Sequence, residues 1–236
     1  MKMLLTSAGV KNAAIRDRLD SMLAKPVSQS HALAIPTAGY GHPMVDPTRA
    51  HSFISGQGSE TPMTELGWAS VGVLELTALP SIDADRWRTW VRAADVLLVN
   101  GGDALYLAHW MRLSGLADLL PSLTDMVWVG LSAGSMVMTP RIGDDFVEWQ
   151  APSGSDEALG LVDFSIFPHL EHPRLAWNTL SNARRWATTL DGPAYAIDDD
   201  TAISVIDGEV EIVSEGQWEF LPAPKPTPAS APAEDR

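Results

Sequence analysis

The chain contains no cysteine. That absence removes disulfide frameworks, thiolate metal centres and cysteine nucleophiles at once. Positive charge is scarce as well: 16 Lys and Arg stand against 30 Asp and Glu, for a net charge of −14. Such a surface repels a polyphosphate backbone and anionic lipid, and no Lys/Arg cluster offers a local exception. Neither nucleic acid nor a membrane surface is therefore an expected partner. No apolar run approaches the roughly 20 residues of a membrane span. The apolar part of the N-terminal Met-Lys-Met-Leu-Leu-Thr-Ser-Ala-Gly is too short for a signal sequence and reads as a first strand. A cytoplasmic protein acting on a small molecule or short peptide is the expectation. Large apolar side chains are almost missing from residues 222–236, which are rich in Pro and Ala; they are expected to form a disordered tail. Residues 1–221 are long enough for one α/β domain with a complete core.

What the sequence has is a series of short apolar runs that alternate with amphipathic stretches and end in glycine-rich exits. Met3–Thr6 precedes a helix capped by Asn12, with Ile15, Leu19, Met22 and Leu23 on one face. Ala32–Pro36 is a second strand, which empties into a long glycine-rich segment, 37–61, read as a loop and a candidate lid. Thr61-Pro62 has the form of a helix start running to about Ala69, and Val71–Thr77 reads as a third strand. Asp83 opens a helix with Trp87 and Val91. Asp95–Val99 is a continuous apolar run of the kind buried on both faces of a parallel sheet, and it ends in Asn100-Gly-Gly-Asp103 ahead of another helix. A fifth strand follows at Met126–Leu131. Further on, 143–149 reads as an irregular hairpin, 161–167 as a strand, and 175–190 as a helix. Short strands are then expected at 194–197, 202–206 and 210–213. This order specifies a doubly wound, mostly parallel sheet flanked by helices, with a short antiparallel C-terminal extension. Ligands bind such sheets at the carboxyl ends of the strands.

The fifth strand ends in Gly130-Leu-Ser132-Ala-Gly134. A serine flanked by glycines at minus two and plus two can sit on a tight strand-to-helix turn with its hydroxyl exposed, making Ser132 a candidate nucleophile. The same turn aims the first N–H groups of the next helix at one point, so the Ala133 N–H is a candidate oxyanion donor. A serine hydroxyl needs a base, usually a histidine oriented by a carboxylate. Of six histidines, His169 follows Phe164-Ser-Ile-Phe-Pro168 and emerges where a buried strand ends, on the catalytic edge if that strand runs parallel to its neighbours; His172 is the next choice. For the orienting acid, Glu171 and Asp163 are nearer in sequence, but a strand-end acid is preferred: Asp198, Asp199 and Asp200 all follow the strand 194–197, and residue order does not choose among them. No His-Glu-x-x-His spacing, P-loop or dinucleotide glycine fingerprint is present, so neither a metal nor an organic cofactor is expected.

Taken together, Leu-Leu-Thr-Ser-Ala-Gly, the Gly101-Gly102 turn, Gly-Leu-Ser132-Ala-Gly-Ser and Phe-Pro-His169 resemble the peptidase E family. These are serine dipeptidases with a fold similar to class I glutamine amidotransferase domains, and the resemblance covers nearly the whole chain before the tail. It implies Ser132 as nucleophile, His169 as base and Asp199 as the acid, with Gly102 N–H joining Ala133 N–H in the oxyanion hole. It also implies a short peptide substrate with an N-terminal aspartate, and either a monomer or a homodimer. The family turn usually reads Gly-Gly-Asn, whereas Asp103 stands here; an added carboxylate could bind the free α-amino group of a substrate. Arg141 and Arg174 are the cations nearest in sequence to the elbow and to His169 and are the candidates to hold an acidic side chain. The competing functions are an esterase, isopeptidase or cyanophycinase-like hydrolase on the same triad, and a non-catalytic small-ligand-binding protein of the same fold.

Overall fold

The computed structural model describes residues 1–57 and 60–224. Most of the tail expected at 222–236 lies outside the described residues.

Among the described residues, ten strands fall into two sheets. Five of them run parallel in the larger sheet: β1 (Lys2–Thr6), β2 (His31–Ile35), β3 (Ser70–Val73), β4 (Val96–Val99) and β5 (Val127–Leu131). Two more, β8 (Thr201–Ile206) and β9 (Glu209–Ser214), extend it in antiparallel sense, giving the order β3-β2-β4-β5-β1-β8-β9. The smaller sheet is β10-β7-β6, in which β6 (Ser165–Phe167) runs parallel to β7 (Ala194–Ile197) and β10 (Trp218–Leu221) antiparallel to it. The architecture is the mostly parallel α/β fold expected.

Side-chain alternation along each strand sends residues to opposite faces. Met3, Leu5, Leu97, Val99 and Trp128 face one layer of helices, chiefly α4 (Ala84–Ala93) and α5 (Ala104–Ser114). Leu4, Val96, Leu98, Val127 and Val129 face the other, formed by α1 (Ala13–Met22) and Phe53 of α3 (Pro47–Ser55). Burial on both faces explains why β4 and β5 read as unbroken apolar runs. A separate core, with Phe167, Trp186 and Leu190, joins the small sheet to α8 (Leu180–Ala187). Among the described residues no helix is long and apolar enough to cross a membrane.

Local capping follows the sequence closely. Asn12 accepts from Ile15 N at 3.0 Å and Asp83 from Arg86 N at 3.1 Å. Four expectations need correction. Segment 37–61 is not a bare loop. It carries α2 (Ala38–Gly41) and α3, the latter capped by Asp46, whose carboxylate accepts from Thr48 N and Arg49 N ahead of Pro47 at the first helical position. The helix expected from Thr61-Pro62 does not form, because the Pro62 carbonyl is taken by Val10 N at 2.9 Å and the stretch stays in turns. The hairpin expected at 143–149 is a single 3₁₀ turn, Asp144–Phe146, anchored by Asp156 accepting from Gly143 N at 2.8 Å. The helix expected over 175–190 is confined to α8, after turns in which Leu175 N bonds His172 O and Asn178 N bonds Leu175 O.

The passage from β5 into α7 (Ala133–Met136) leaves no room for side chains at its two glycines. A Cβ at Gly130 would run into the backbone of Gly134, and one at Gly134 into the carbonyl of Val99. The indole of Trp128 donates to the Gly134 carbonyl at 2.9 Å in a buried position. Replacing Trp128 with Phe leaves that carbonyl without a donor. It should lower the unfolding free energy by about 1–3 kcal/mol, seen as a lower urea midpoint with an unchanged slope.

Candidate active site

Ser132 is the hinge of the strand-to-helix turn, with φ +49° and ψ −110°. A side-chain-bearing residue rarely adopts this conformation, and its strain persists only because the surroundings over-determine it. Two hydrogen bonds to one atom do much of this: the Thr6 carbonyl, at the end of β1, accepts from Ser132 N at 3.0 Å and from Ser135 Oγ at 2.7 Å. The Thr6 hydroxyl in turn donates to the Gly130 carbonyl at 2.7 Å. The loop after β4 lies alongside. A Cβ on Gly101 would stand 3.4 Å from Cβ of Ser132, and Gly102, at φ +140°, abuts the backbone of Ala38 so closely that no side chain fits. Gly102 and Ala133, the two expected oxyanion donors, thus belong to segments that meet at Ser132, the second opening a helix whose first N–H groups have no intrahelical partner.

His169 reaches this edge from the small sheet, not from the main one. Strands β6 and β7 run parallel, so their carboxyl ends deliver His169 and Asp199 side by side; Leu170 N bonds the carbonyl of Ile197 at 3.0 Å and locks the two exits together. Nδ1 of His169 is 2.6 Å from Oδ1 of Asp199. The other two aspartates have partners elsewhere, Asp198 through its carboxylate and Asp200 through its main-chain carbonyl. Asp198 accepts from Asp200 N and Thr201 Oγ1 through one oxygen and from Gln217 N through the other. Asp200 offers its carbonyl to Asn12 Nδ2 and Glu215 N.

Asp199 is held below the usual carboxylate range. Burial alone would raise it, but the hydrogen bond from His169 and the charges of His169, Lys11 and His172 lower it overall. An ionised Asp199 can only accept, so Nδ1 of His169 is the donor, and in the neutral imidazole Nε2 then holds the lone pair. That is the tautomer a general base requires.

Three neighbours of this pair were not singled out from sequence, or only as a second choice. Ser7 Oγ donates to Asp199 Oδ1 at 3.1 Å and accepts from His169 N at 2.7 Å. His172 Nε2 lies 3.5 Å, and Lys11 Nζ 3.8 Å, from Asp199 Oδ2. The signal for Ser7 is its position directly after a buried strand on the ligand-binding edge.

The remaining candidates sit apart from the pair. Asp103 is buried (2% exposed) and caps α5: Oδ1 accepts from Tyr106 N and Oδ2 from Trp149 N, both at 2.7 Å. Burial pushes its carboxyl up, with backbone N–H groups pulling it partly back. Arg141 forms a two-pronged bond to Asp156 at 2.8 and 3.1 Å and also meets Asp191. Arg174 pairs with Glu60 on the exposed surface. Among the described residues, no cluster of three or more His, Asp or Glu is disposed to hold a metal ion.

A serine on a strained elbow at the carboxyl edge of a parallel sheet, with a carboxylate-oriented imidazole reaching the same edge, is the arrangement of a serine hydrolase on an α/β scaffold. Comparison with known proteins narrows this. The family model described as peptidase family S51 matches residues 3–213, so the chain belongs to that family and is a serine-type peptidase. Two of the solved structures that share its fold are similar over nearly the whole chain. One is a provisionally assigned peptidase E protein from Listeria monocytogenes EGD-e, at 20% identity and a TM-score of 0.63, covering 91% of this chain and 98% of that one. The other is a peptidase from an acI-B1 Actinobacterium, at 18% identity and a TM-score of 0.65, covering 95% of each chain. The fold is accordingly glutamine amidotransferase-like. No curated protein matches the sequence.

The lowered carboxyl of Asp199 has a consequence for acid stability. Its contribution is fully present above the unfolded aspartate value of about 3.9 and is lost as pH falls through the lower folded value. Asp199→Asn removes it. The stability gap between wild type and variant should therefore be largest near neutral pH and should close as pH drops below about 4, as measured by urea midpoints across that range.

Proposed function

We propose that the protein is a serine dipeptidase of the peptidase E type, which hydrolyses the N-terminal peptide bond of short peptides through Ser132, His169 and Asp199. The observation that carries this reading is the 2.6 Å His169–Asp199 contact, which leaves Nε2 free at the sheet edge where the strained Ser132 turn stands. His169 Nε2 takes the Ser132 proton, and the alkoxide attacks the carbonyl carbon of the first peptide bond. The N–H groups of Gly102 and Ala133 hold the oxyanion, each worth on the order of 3 kcal/mol in the transition state. His169 then protonates the leaving amine. Water, deprotonated by the same imidazole, attacks the acyl-enzyme and releases the product acid. Asp199 stays ionised throughout and stabilises the imidazolium.

The side chain favoured at the cleaved bond is aspartate, following the family resemblance. All four groups face carboxylates, Arg141 and Arg174 those of Asp156 and Glu60, Lys11 and His172 that of Asp199, and it is Lys11 and His172 that stand beside the His–Asp pair. This favours Lys11 and His172 over the two arginines as the groups that receive an acidic substrate.

The test is hydrolysis of Asp-Leu, Ala-Leu, N-acetylated Asp-Leu and a simple ester by the wild type and by Ser132→Ala. Cleavage of unblocked Asp-Leu, with kcat/KM reduced on the order of 10⁴-fold or more in the variant, is the expected result. Activity confined to the ester, or undiminished in Ser132→Ala, would sink the proposal.

A further inference from the structure

Ser7 has no role in the mechanism above, yet it is fully buried between the two groups that mechanism depends on. Its hydroxyl oxygen accepts the backbone N–H of His169 at 2.7 Å, donates to Oδ1 of Asp199 at 3.1 Å, and stands 3.3 Å from Nδ1 of His169. A hydroxyl has one proton to give. Nδ1 already gives its own proton to Asp199 at 2.6 Å, so it cannot also accept one, and the carboxylate is the acceptor left for Ser7. The 3.3 Å approach is then the third side of a triangle closed by two hydrogen bonds to one carboxylate oxygen.

We propose that Ser7 is a positioning residue of the reaction: its hydroxyl holds Oδ1 of Asp199 and the main chain of His169 in fixed relation, and so keeps the imidazole in the orientation that leaves Nε2 as base. This rests on the Ser132–His169–Asp199 reading. Two further observations support it. His169 has φ +56°, a conformation that residues with side chains rarely adopt. Neighbouring bonds bracket it, Asn178 Nδ2 to the Pro168 carbonyl at 2.9 Å and Leu170 N to Ile197 O at 3.0 Å, but the His169 N–H itself has Ser7 as its partner. The residue before Ser7 is Thr6, whose carbonyl takes the N–H of Ser132. Nucleophile and base are thus each bonded to one of two consecutive residues at the end of β1, although they come from different sheets. Any displacement of that strand end moves both together.

A side chain that only satisfied a buried N–H would affect stability and nothing else. A positioning residue changes turnover, the pH profile and the His–Asp hydrogen bond. The experiment compares wild type, Ser7→Ala, Ser7→Cys and Ser132→Ala on the cleaved dipeptide, reading kcat and KM separately. It also records the acid limb of kcat/KM and the low-field proton resonance of His169 Nδ1–H. The groups facing Asp199 that shape that limb are His169, His172, Lys11 and Ser7.

Ser7→Ala should lose kcat by about tenfold to a hundredfold with KM nearly unchanged, the loss of one hydrogen bond to a charged acceptor. It should also move the acid limb and the low-field resonance. Ser7→Cys, a weaker donor, should fall between the two and supplies the readout if the alanine variant does not fold. Wild-type kcat and an unmoved resonance in folded Ser7→Ala, or wild-type kcat in Ser7→Cys, would overturn the proposal. If Ser132→Ala abolishes turnover while the Ser7 variants are unaffected, only the role of Ser7 falls. Hydrolysis that survives in Ser132→Ala removes the triad reading and this proposal with it.

Discussion

The carbonyl oxygen of Thr6 is the constraint on which the rest of the site depends. It accepts from Ser132 N and from Ser135 Oγ, one residue on each side of the turn's second glycine. Gly134 is held by the Trp128 indole and Gly130 by the Thr6 hydroxyl, so the turn is bonded on both sides of Ser132. A backbone at φ +49° on a serine costs of order 1–3 kcal/mol. Four hydrogen bonds, one from a backbone N–H and three from buried side chains, offset that cost because breaking any of them would leave a buried polar group unpaired.

The second sheet solves a different problem. A base delivered from the main sheet would have to share the crowded edge already filled by the β1, β4 and β5 exits. Strands β6 and β7 stand apart, and their parallel pairing brings two residues separated by 30 positions, His169 and Asp199, to adjacent exits. Orientation of the imidazole is thereby a property of strand register, with Leu170 N on the Ile197 carbonyl as its lock. A carboxylate only 18% exposed gains more from each charge-assisted bond than one in water would, which is how Asp199 remains ionised despite its burial.

The elements that could be read from sequence are those whose signals are local. β4 and β5 are continuous apolar runs, Asn12 and Asp83 cap helices in the ordinary way, and Gly130-x-Ser132-x-Gly134 declares its own geometry. Where two similar local signals competed, a distant contact decided. Asp46-Pro47 and Thr61-Pro62 both resemble helix starts, but only the first became one, because the Pro62 carbonyl is taken by Val10 N and Gly9 packs against it with no room for a side chain. The choice among Asp198, Asp199 and Asp200 was beyond any local rule. Gln217 and Thr201 take the Asp198 carboxylate and Asn12 takes the main-chain carbonyl of Asp200, and two of these partners are 19 and 188 positions away. Likewise, nothing in Ser165–Phe167 says that it pairs in a second sheet; that follows from β7 and β10 being available beside it. Ser7 was hidden because a single serine after a strand is unremarkable until the residue 162 positions away that it bonds is known.

Asp103 shows how a departure from a familiar motif can be read through its partners. In the resembling family the place after Gly-Gly is usually Asn, which has one accepting oxygen and a donating amide. Here both oxygens face donors, the Tyr106 N–H at the start of α5 and the Trp149 N–H of the segment that crosses it. An asparagine would cap the helix but would turn an NH₂ group toward the Trp149 N–H, donor against donor. Aspartate satisfies both and so ties the 144–149 segment to the helix that begins just after the Gly102 turn, reinforced by the edge-on packing of Trp149 against Tyr106 at 5.4 Å. The negative charge is the cost of that second acceptor, and its burial raises the carboxyl's proton affinity accordingly. A carboxylate whose two oxygens are both taken by backbone N–H groups, and which is 2% exposed, holds the Trp149 segment against the start of α5.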